Sequence, residues 1–260
     1  KLYPSSPKGK AALQRHALLL SRLQKTVPVP EIVETLPQSD LFGFPALVTT
    51  APGQPMDQEL RALSAVSRET MVANIAQAVA ALHKCDPSDL CIDPAYDPHS
   101  LLDLWQEDAE WYEENAERAG KAADLVRRGA SVLADSCDVP SWGSVLHRDL
   151  TPNNILAENG AFVAIVDWDH AGFSASQEDV GKALIGLLGM LTLPRNLRLP
   201  LARAFLDAYS RTESLSVEEL FFQSVPFALD TILDWVVGGK NAAREELSWA
   251  TEQIMDRGCI

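Results

Sequence analysis

The stretch His147-Arg148-Asp149-Leu150-Thr151-Pro152-Asn153-Asn154, followed by Ile165-Val166-Asp167-Trp168-Asp169, decides how this chain folds. Between its two parts, Asn159-Gly160 is a strong signal for a two-residue hairpin turn. It predicts strands over residues 154–157 and 161–166. The register of such a hairpin places Asn154 opposite Ile165, so Asp167 is expected about 7–8 Å from Asn154.

Three oxygen-bearing side chains come together in this predicted hairpin. The amide of Asn154 and the carboxylate of Asp167 can converge on one Mg²⁺, which binds oxygen ligands at about 2.1 Å. Asp149 lies in the loop that leads into the same strand. A carboxylate for a hydroxyl proton, together with an amide and a carboxylate for Mg²⁺, is what phosphoryl transfer requires from a protein. The sequence therefore predicts a phosphotransferase that uses ATP and Mg²⁺.

The same residue types recur in protein kinases as His-Arg-Asp, four spacer residues, Asn, and then a metal-binding Asp. This chain departs from that pattern. Pro152 replaces the lysine of Ser/Thr kinases, the metal motif reads Asp167-Trp168-Asp169, and no Ala-Pro-Glu triplet follows nearby. With these departures the chain resembles the aminoglycoside phosphotransferase and choline kinase family, small-molecule kinases with a protein-kinase-like fold.

The resemblance implies a fold class and a set of site residues. The expected fold is α+β with two lobes: residues 1–52 form a truncated nucleotide-binding lobe and hinge, and residues 53–260 form a large, mainly helical lobe. In the catalytic loop, Asp149 would accept or orient the hydroxyl proton, and His147 would orient the loop. The other implied site residues hold the nucleotide (Lys1, Val48, Thr49, Thr50 and Ala51) or the metal (Asn154, Asp167 and Asp169).

Lys1 ends a short predicted strand at the position of the family's phosphate-binding lysine. The next helix, predicted over residues 11–24, carries His16 where the family has a glutamate that pairs with this lysine. Two interpretations of His16 stay open: a neutral acceptor for Lys1, or a core histidine. Because no glycine-rich loop precedes Lys1, the chain is expected to be an N-terminally truncated kinase.

Composition limits the class of protein. The chain has 260 residues, 47% of them hydrophobic, and a formal net charge of −14. Such a charge argues against nucleic acid as a partner, because phosphates require a basic surface. No apolar run is long enough to span a bilayer. The four cysteines show no metal or disulfide spacing, which favours reduced thiols and a cytoplasmic protein.

The negative charge is concentrated between Lys84 and Arg118, where eleven Asp and Glu side chains occur without a single Lys or Arg. Such a field would attract a cationic acceptor. Equally, the stretch can be the solvated face of a helix over residues 101–119. The half-buried side of that helix would carry Leu101, Leu104, Trp105, Asp108 and Tyr112. Both interpretations stay open.

Further elements follow from periodicity and caps. Strands are predicted over Ile32–Leu36 and Phe44–Thr50, and Gly53 is expected to begin the crossing into the larger lobe. Ser67 is a candidate N-cap for a helix that ends near His83. Helices are predicted over 178–191, 200–210, 217–237 and 242–256.

Two rival hypotheses accompany the small-molecule kinase. A nucleotide-binding pseudokinase or inactive fragment would explain His16 and the missing glycine-rich loop, but it gives no reason to keep Asp149, Asn154 and Asp167. A protein kinase is disfavoured by Pro152 and by the missing Ala-Pro-Glu. The best-supported prediction is therefore transfer of the γ-phosphoryl group of ATP to a hydroxyl of a small, cationic acceptor, such as an aminoglycoside or an amino alcohol.

Overall fold

The computed structural model describes residues 1–38, 43–50, 52–95, 98–135, 143–215, 217–237 and 241–257. In this part of the chain, short strands alternate with helices up to Ser174 and helices follow thereafter, so the α+β prediction is confirmed. The strands are β1 (Ile32–Leu36), β2 (Ala46–Thr49), β3 (Gln54–Pro55), β4 (Ser144–Leu146), β5 (Ile155–Glu158), β6 (Ala161–Ile165) and β7 (Gly172–Ser174). The α-helices are α1 (Pro7–Leu23), α2 (Met56–Leu60), α3 (Ala65–His83), α4 (Pro98–Asn115), α5 (Ala123–Ala134), α6 (Gln177–Leu188), α7 (Arg195–Ser210), α8 (Val217–Val237) and α9 (Asn241–Arg257).

The first residues of the chain run antiparallel to β2. Leu2 pairs with Ala46, and Leu47 accepts from the amino terminus of Lys1 at 2.7 Å while donating to its carbonyl at 2.9 Å. On its other edge β2 pairs with β1. The predicted strand end at Lys1 is thus confirmed as an extended segment, and pairing with β2 fixes where the Lys1 side chain begins.

Helix α1 starts four residues before the predicted start. Its first turn is set by Pro7, whose fixed φ suits that position, and by Ser6, whose hydroxyl accepts from the Gly9 N–H at 3.2 Å. Apolar residues spaced by three to seven, including Leu13 and Leu20, are buried. That spacing aims one face of α1 at the core and leaves His16 half-buried at the edge of that face.

The β5–β6 hairpin forms at the predicted turn but in a different register. Asn159 and Gly160 both have positive φ, 51° and 79°, as a type I′ turn requires. Ala157 pairs with Phe162, but the register then shifts, so that Ile155 pairs with Ile165. The expected Asn154–Ile165 pair is therefore wrong.

The cause is a β-bulge in β6, which inserts one extra residue opposite β5. As a result, Val166 donates to the Asn154 carbonyl at 2.8 Å. Asp167 consequently follows the partner of Asn154 by one residue instead of two. A bulge of this kind turns the end of a strand, and here it sets the direction in which the chain enters the metal motif.

Gly53 begins the crossing from β2 into β3. Its φ is +73°, and a Cβ at this position would lie 2.2 Å from the carbonyl oxygen of Ala157. Only glycine therefore fits where β3 pairs with β5. A continuous set of buried apolar residues extends from Tyr3 to Ile254, and a lobe boundary at residue 52 stays a prediction.

The helical part differs from the sequence expectations in several places: α6 ends at Leu188 and not at 191, and α7 begins at Arg195 and not at 200. Ser64, and not Ser67, caps α3, since the Ser64 hydroxyl accepts from the Ser67 N–H at 3.2 Å. On α4, Trp105 and Tyr112 are buried as predicted, but Leu104 is 50% exposed. No helix in the described ranges is both long and apolar enough to cross a membrane.

Candidate active site

His147 joins the predicted catalytic loop to the metal motif. Its side chain is fully buried, and its Nδ1 accepts from the Asp149 N–H at 3.2 Å. Its Nε2 therefore carries the proton and donates to the Val166 carbonyl at 2.8 Å. The ring of Trp168 packs edge-on against it, with 4.6 Å between centroids. Because both ring nitrogens are engaged and shielded from solvent, this geometry suits a residue that positions the loop.

Asp179 anchors the same loop from the start of α6. It is fully buried and accepts from the backbone N–H groups of His147 and Arg148, each at 2.7 Å. His83 at the end of α3 lies 3.4 Å away through Nε2, and its Nδ1 is 2.6 Å from the hydroxyl of Tyr209. Burial alone would raise the pKa of Asp179, but the hydrogen bonds from His83 and from the backbone N–H of His147 favour the carboxylate, outweigh burial and lower that pKa.

Asp149 and Asn154 are bonded to each other directly. The Asn154 Nδ2 donates to the Asp149 Oδ2 at 2.7 Å and to the Asp149 carbonyl at 2.9 Å. A short 3₁₀ turn over Pro152–Asn154 folds the chain back to allow both contacts. With Nδ2 committed, the amide oxygen of Asn154 points elsewhere, and the Oδ1 of Asp149 is the oxygen left for a proton.

The metal motif has a strained backbone at Asp167. Its φ of 63° and ψ of 59° are left-handed values, which non-glycine residues rarely adopt and which recur at functional sites. Lys1 Nζ lies 3.0 Å from Asp167 Oδ1 and also contacts Asp169 Oδ2. Burial lowers the pKa of Lys1, but the hydrogen bonds and charges of Asp169 and Asp167 outweigh it, so the net shift is upward.

The donor set near Lys1 suits Mg²⁺, which prefers carboxylate and amide oxygens and keeps several waters. Asp167 and Asp169 already share one cation, the ammonium of Lys1. Asn154 would add an amide oxygen, and its backbone carbonyl accepts from the N–H of Val166, the residue before Asp167. Within the described ranges, no group of three His, Cys, Asp or Glu side chains could hold a metal ion.

His16 contacts Tyr3 and Asp169, where the sequence suggested either Lys1 or the core. Its Nδ1 is 2.8 Å from the Tyr3 hydroxyl and 3.2 Å from Asp169 Oδ1. The expected contact with Lys1 is replaced by one with Asp169, which itself contacts Lys1. Burial lowers the pKa of His16, partly opposed by the charge of Asp169. The residue is thus neither an acceptor for Lys1 nor a simple core histidine. A cavity of about 630 Å³ opens beside this group of residues.

The predicted hinge is only partly available to a nucleotide. The Thr50 N–H donates to the Glu31 carbonyl at 2.9 Å, and the Thr50 hydroxyl accepts from the Glu31 N–H at 2.9 Å. Val48 pairs with β1, whereas strand alternation turns the backbone groups of Thr49 toward the edge that Leu47 shares with Lys1. Ala51 lies outside the described residues. Thr49 is therefore the hinge residue whose backbone groups lie on the edge of β2 away from β1.

Sequence comparison gives one family match. The model of the phosphotransferase enzyme family matches residues 1–220. A comparison with curated protein sequences gives no match.

Many solved structures share the fold. A glucosamine kinase superposes with a TM-score of 0.69 and 18% identity, covering 98% of this chain and 71% of that one. An aminoglycoside phosphotransferase solved with GDP and kanamycin gives 0.63 and 16%, covering 98% and 84%. A macrolide 2′-phosphotransferase from Brachybacterium faecium gives 0.58 and 19%, covering 96% and 82%. At these identities the likeness establishes the fold, and it confirms the protein-kinase-like architecture that the sequence predicts.

Proposed function

This chain belongs to the phosphotransferase enzyme family and is a small-molecule kinase, and we propose that it transfers the γ-phosphoryl group of ATP to a hydroxyl of a small, cationic acceptor. The observation that carries the proposal is the bond between Asn154 and Asp149. It fixes one carboxylate oxygen and leaves the other to receive the hydroxyl proton. A positioned base of this kind contributes about 10²–10⁴ in rate.

The remaining residues would bind and orient the nucleotide. Asn154, Asp167 and Asp169 would hold Mg²⁺, which when bound neutralises charge on the phosphates. Lys1 would then exchange its contacts with these carboxylates for the phosphates, a short movement for a flexible side chain. The backbone of Thr49 would hydrogen-bond the adenine. Because backbone groups do not distinguish bases strongly, both ATP and GTP belong in the test.

The cationic nature of the acceptor is supported by carboxylates on two helices. Burial raises the pKa of Asp108 on α4, and the nearby negative charge of Asp230 on α8 raises it further. An ammonium group placed between two such carboxylates would stabilise both. Part of the acidic surface is already neutralised, since Arg127 pairs with Glu117 and lies 3.8 Å from Glu113. The negative field of this acidic surface would therefore attract a cationic acceptor.

We place the enzyme in the cytoplasm, where ATP and Mg²⁺ are supplied. A macromolecular partner is not required for this reaction, and a net charge of −14 disfavours nucleic acid.

The test is an assay of ADP and GDP release with Mg²⁺ and three acceptors: kanamycin, glucosamine and glucose. Glucosamine and glucose differ by one amine, so a preference for glucosamine would show that the charge is recognised. We expect Asp149→Asn to lower kcat by about 10²–10⁴ while nucleotide affinity stays unchanged, because the base acts mainly in the transition state.

Asp124→Asn is the matched control, since this carboxylate is almost fully exposed and contacts Arg127 far from the loop. It should behave as the wild type does. Tight nucleotide binding without turnover on any acceptor and without hydrolysis of ATP would instead favour the pseudokinase hypothesis. Turnover that is equal on glucose and glucosamine would retain the kinase and reject the cationic acceptor.

A further inference from the structure

Arg148, the residue before the proposed base, has a backbone conformation that must be held in place. Its φ is 65°, a left-handed value that is unfavourable for a side chain with a Cβ. The peptide between Arg148 and Asp149 is a rigid plane, so the orientation of this plane decides where the Asp149 carboxylate begins. Its N–H is bonded to Nδ1 of His147 at 3.2 Å. The conformation of the loop therefore also depends on the contacts of the Arg148 carbonyl oxygen.

The carbonyl side is held by α6. Lys182 Nζ donates to the Arg148 carbonyl oxygen at 2.6 Å and to Glu178 Oε1 at 3.0 Å. Glu178 in turn accepts from Nε of Arg148 at 3.3 Å, while Asp179 accepts from the Arg148 N–H. The first two turns of α6 thus contact Arg148 at its N–H, its carbonyl and its side chain.

The ammonium of Lys182 is itself fixed in position. An ammonium group has three donors, of which one goes to Arg148 and one to Glu178 one helical turn away. The group also lies 5.5 Å from the centre of the Phe227 ring of α8, a cation–π contact. Its side chain is only 17% exposed. Lys182 is thus held by two hydrogen bonds and one ring contact, and it contacts the catalytic loop through a backbone carbonyl.

We propose that Lys182 is a positioning residue for Asp149. Lys182 and His147 hold the two ends of one peptide plane, its carbonyl and its N–H. Together they keep the Asp149 carboxylate directed at Nδ2 of Asn154. The inference rests on the proposed function, because it assigns Lys182 a role in aiming the base of that reaction.

The test compares Lys182→Met, Lys182→Arg and the matched control Lys84→Met. Methionine keeps the length of the side chain and the packing on Phe227 but removes the donor. Lys84 also donates to a backbone carbonyl, that of Thr212, and pairs with a glutamate, Glu213, but it lies at the end of α3, away from the loop. The proteins are compared by kcat and KM with ATP and glucosamine, by melting temperature, and by amide hydrogen exchange at Asp149.

We expect Lys182→Met to lower kcat about 10²-fold, the effect of a displaced catalytic group, with the KM for ATP unchanged. Exchange at the Asp149 amide should become faster. Lys182→Arg should restore most of kcat, and Lys84→Met should match the wild type in both kcat and exchange. A merely structural role would lower the melting temperature of Lys182→Met without lowering kcat per folded molecule.

The outcomes separate this inference from the function on which it rests. A wild type that transfers phosphate, with a Lys182→Met variant of equal kcat per folded molecule, would overturn the positioning role. A wild type that turns over no acceptor, with faster Asp149 exchange in Lys182→Met, would reject the proposed function and retain the clamp on the loop. Unchanged exchange in Lys182→Met would reject the clamp whatever the activity.

Discussion

Replacing Asp179 by asparagine should destabilise the protein through the catalytic loop. The carboxylate is fully buried, and its oxygens accept from two backbone N–H groups at 2.7 Å. In Asp179→Asn one oxygen becomes an NH₂ group that faces the N–H of His147 or of Arg148. The change is nearly isosteric, so packing is kept and the loss is one of hydrogen bonding and charge.

The size of the loss follows from these bonds. A hydrogen bond to a charged group contributes about 1.5–3 kcal/mol and a neutral one about 1 kcal/mol. Asp179→Asn abolishes one charged bond, leaves its N–H without an acceptor, and reduces the other to a neutral bond. Removing a buried charge recovers part of this, because its desolvation is no longer required. We expect a net loss of about 3 kcal/mol in the free energy of unfolding.

The loss should depend on pH in a defined direction. The pKa of Asp179 is lower in the folded protein than its ordinary value of 3.8. Its contribution to stability is therefore complete above pH 3.8 and is lost as the pH falls from there through the lowered value. The difference between the wild type and Asp179→Asn should be constant near neutral pH and should shrink below pH 3.8.

Urea denaturation, followed by tryptophan fluorescence at several pH values, measures this difference. The matched control is Asp86→Asn, an exposed carboxylate that also accepts from a backbone N–H, that of Ser88. Asp86 caps a short 3₁₀ helix over Pro87–Leu90, and asparagine serves equally well as a cap. This variant should therefore unfold at nearly the same urea concentration as the wild type. A loss below about 1 kcal/mol for Asp179→Asn, the size typical of a surface substitution, would refute the reasoning. So would a loss that persists undiminished in acid.

Three shorter predictions concern the metal, the crossing and the acceptor. Asp167→Ala should weaken Mg²⁺-dependent nucleotide binding, measured by titration with and without Mg²⁺, because a carboxylate ligand is removed. Gly53→Ala should destabilise the protein by clearly more than Gly43→Ala in urea denaturation; both glycines have positive φ, but only at Gly53 does a Cβ meet the backbone. The KM for glucosamine should rise with salt, because exposed charges are screened over about 8–10 Å. It should also rise in the double variant Glu110→Lys/Glu114→Lys, which reverses two of these charges. The KM for glucose should change in neither case.

The sequence by itself determined the features that depend on neighbours in the chain. The turn at Asn159-Gly160 formed as predicted because both residues tolerate positive φ. The direct bond of Asp149 to Asn154 spans only a short loop. The motifs in residues 147–169 were enough to predict the family and the kinase-like fold, and the comparisons confirm both.

Tertiary structure decided the features that join distant segments. The register at Asn154 depends on a bulge in β6, and no local signal marks the inserted residue. His16 lies 3.2 Å from Asp169, a contact between α1 and the metal motif that residue order does not specify. Lys182 donates to the Arg148 carbonyl although 34 residues separate them in the sequence. The sequence pattern indicates only a polar position in a helix.

The physical reason for this division is the range of each interaction. Backbone propensities and turn geometry act over a few residues, so residue types in order are enough to predict them. Contacts between helices and loops depend on where whole elements pack. Their positions are set by packing of the complete core and cannot be deduced from a short stretch of sequence. The sequence therefore named Asp149 as the candidate base, and only the folded chain showed that α6, through Asp179 and Lys182, holds the loop that carries it.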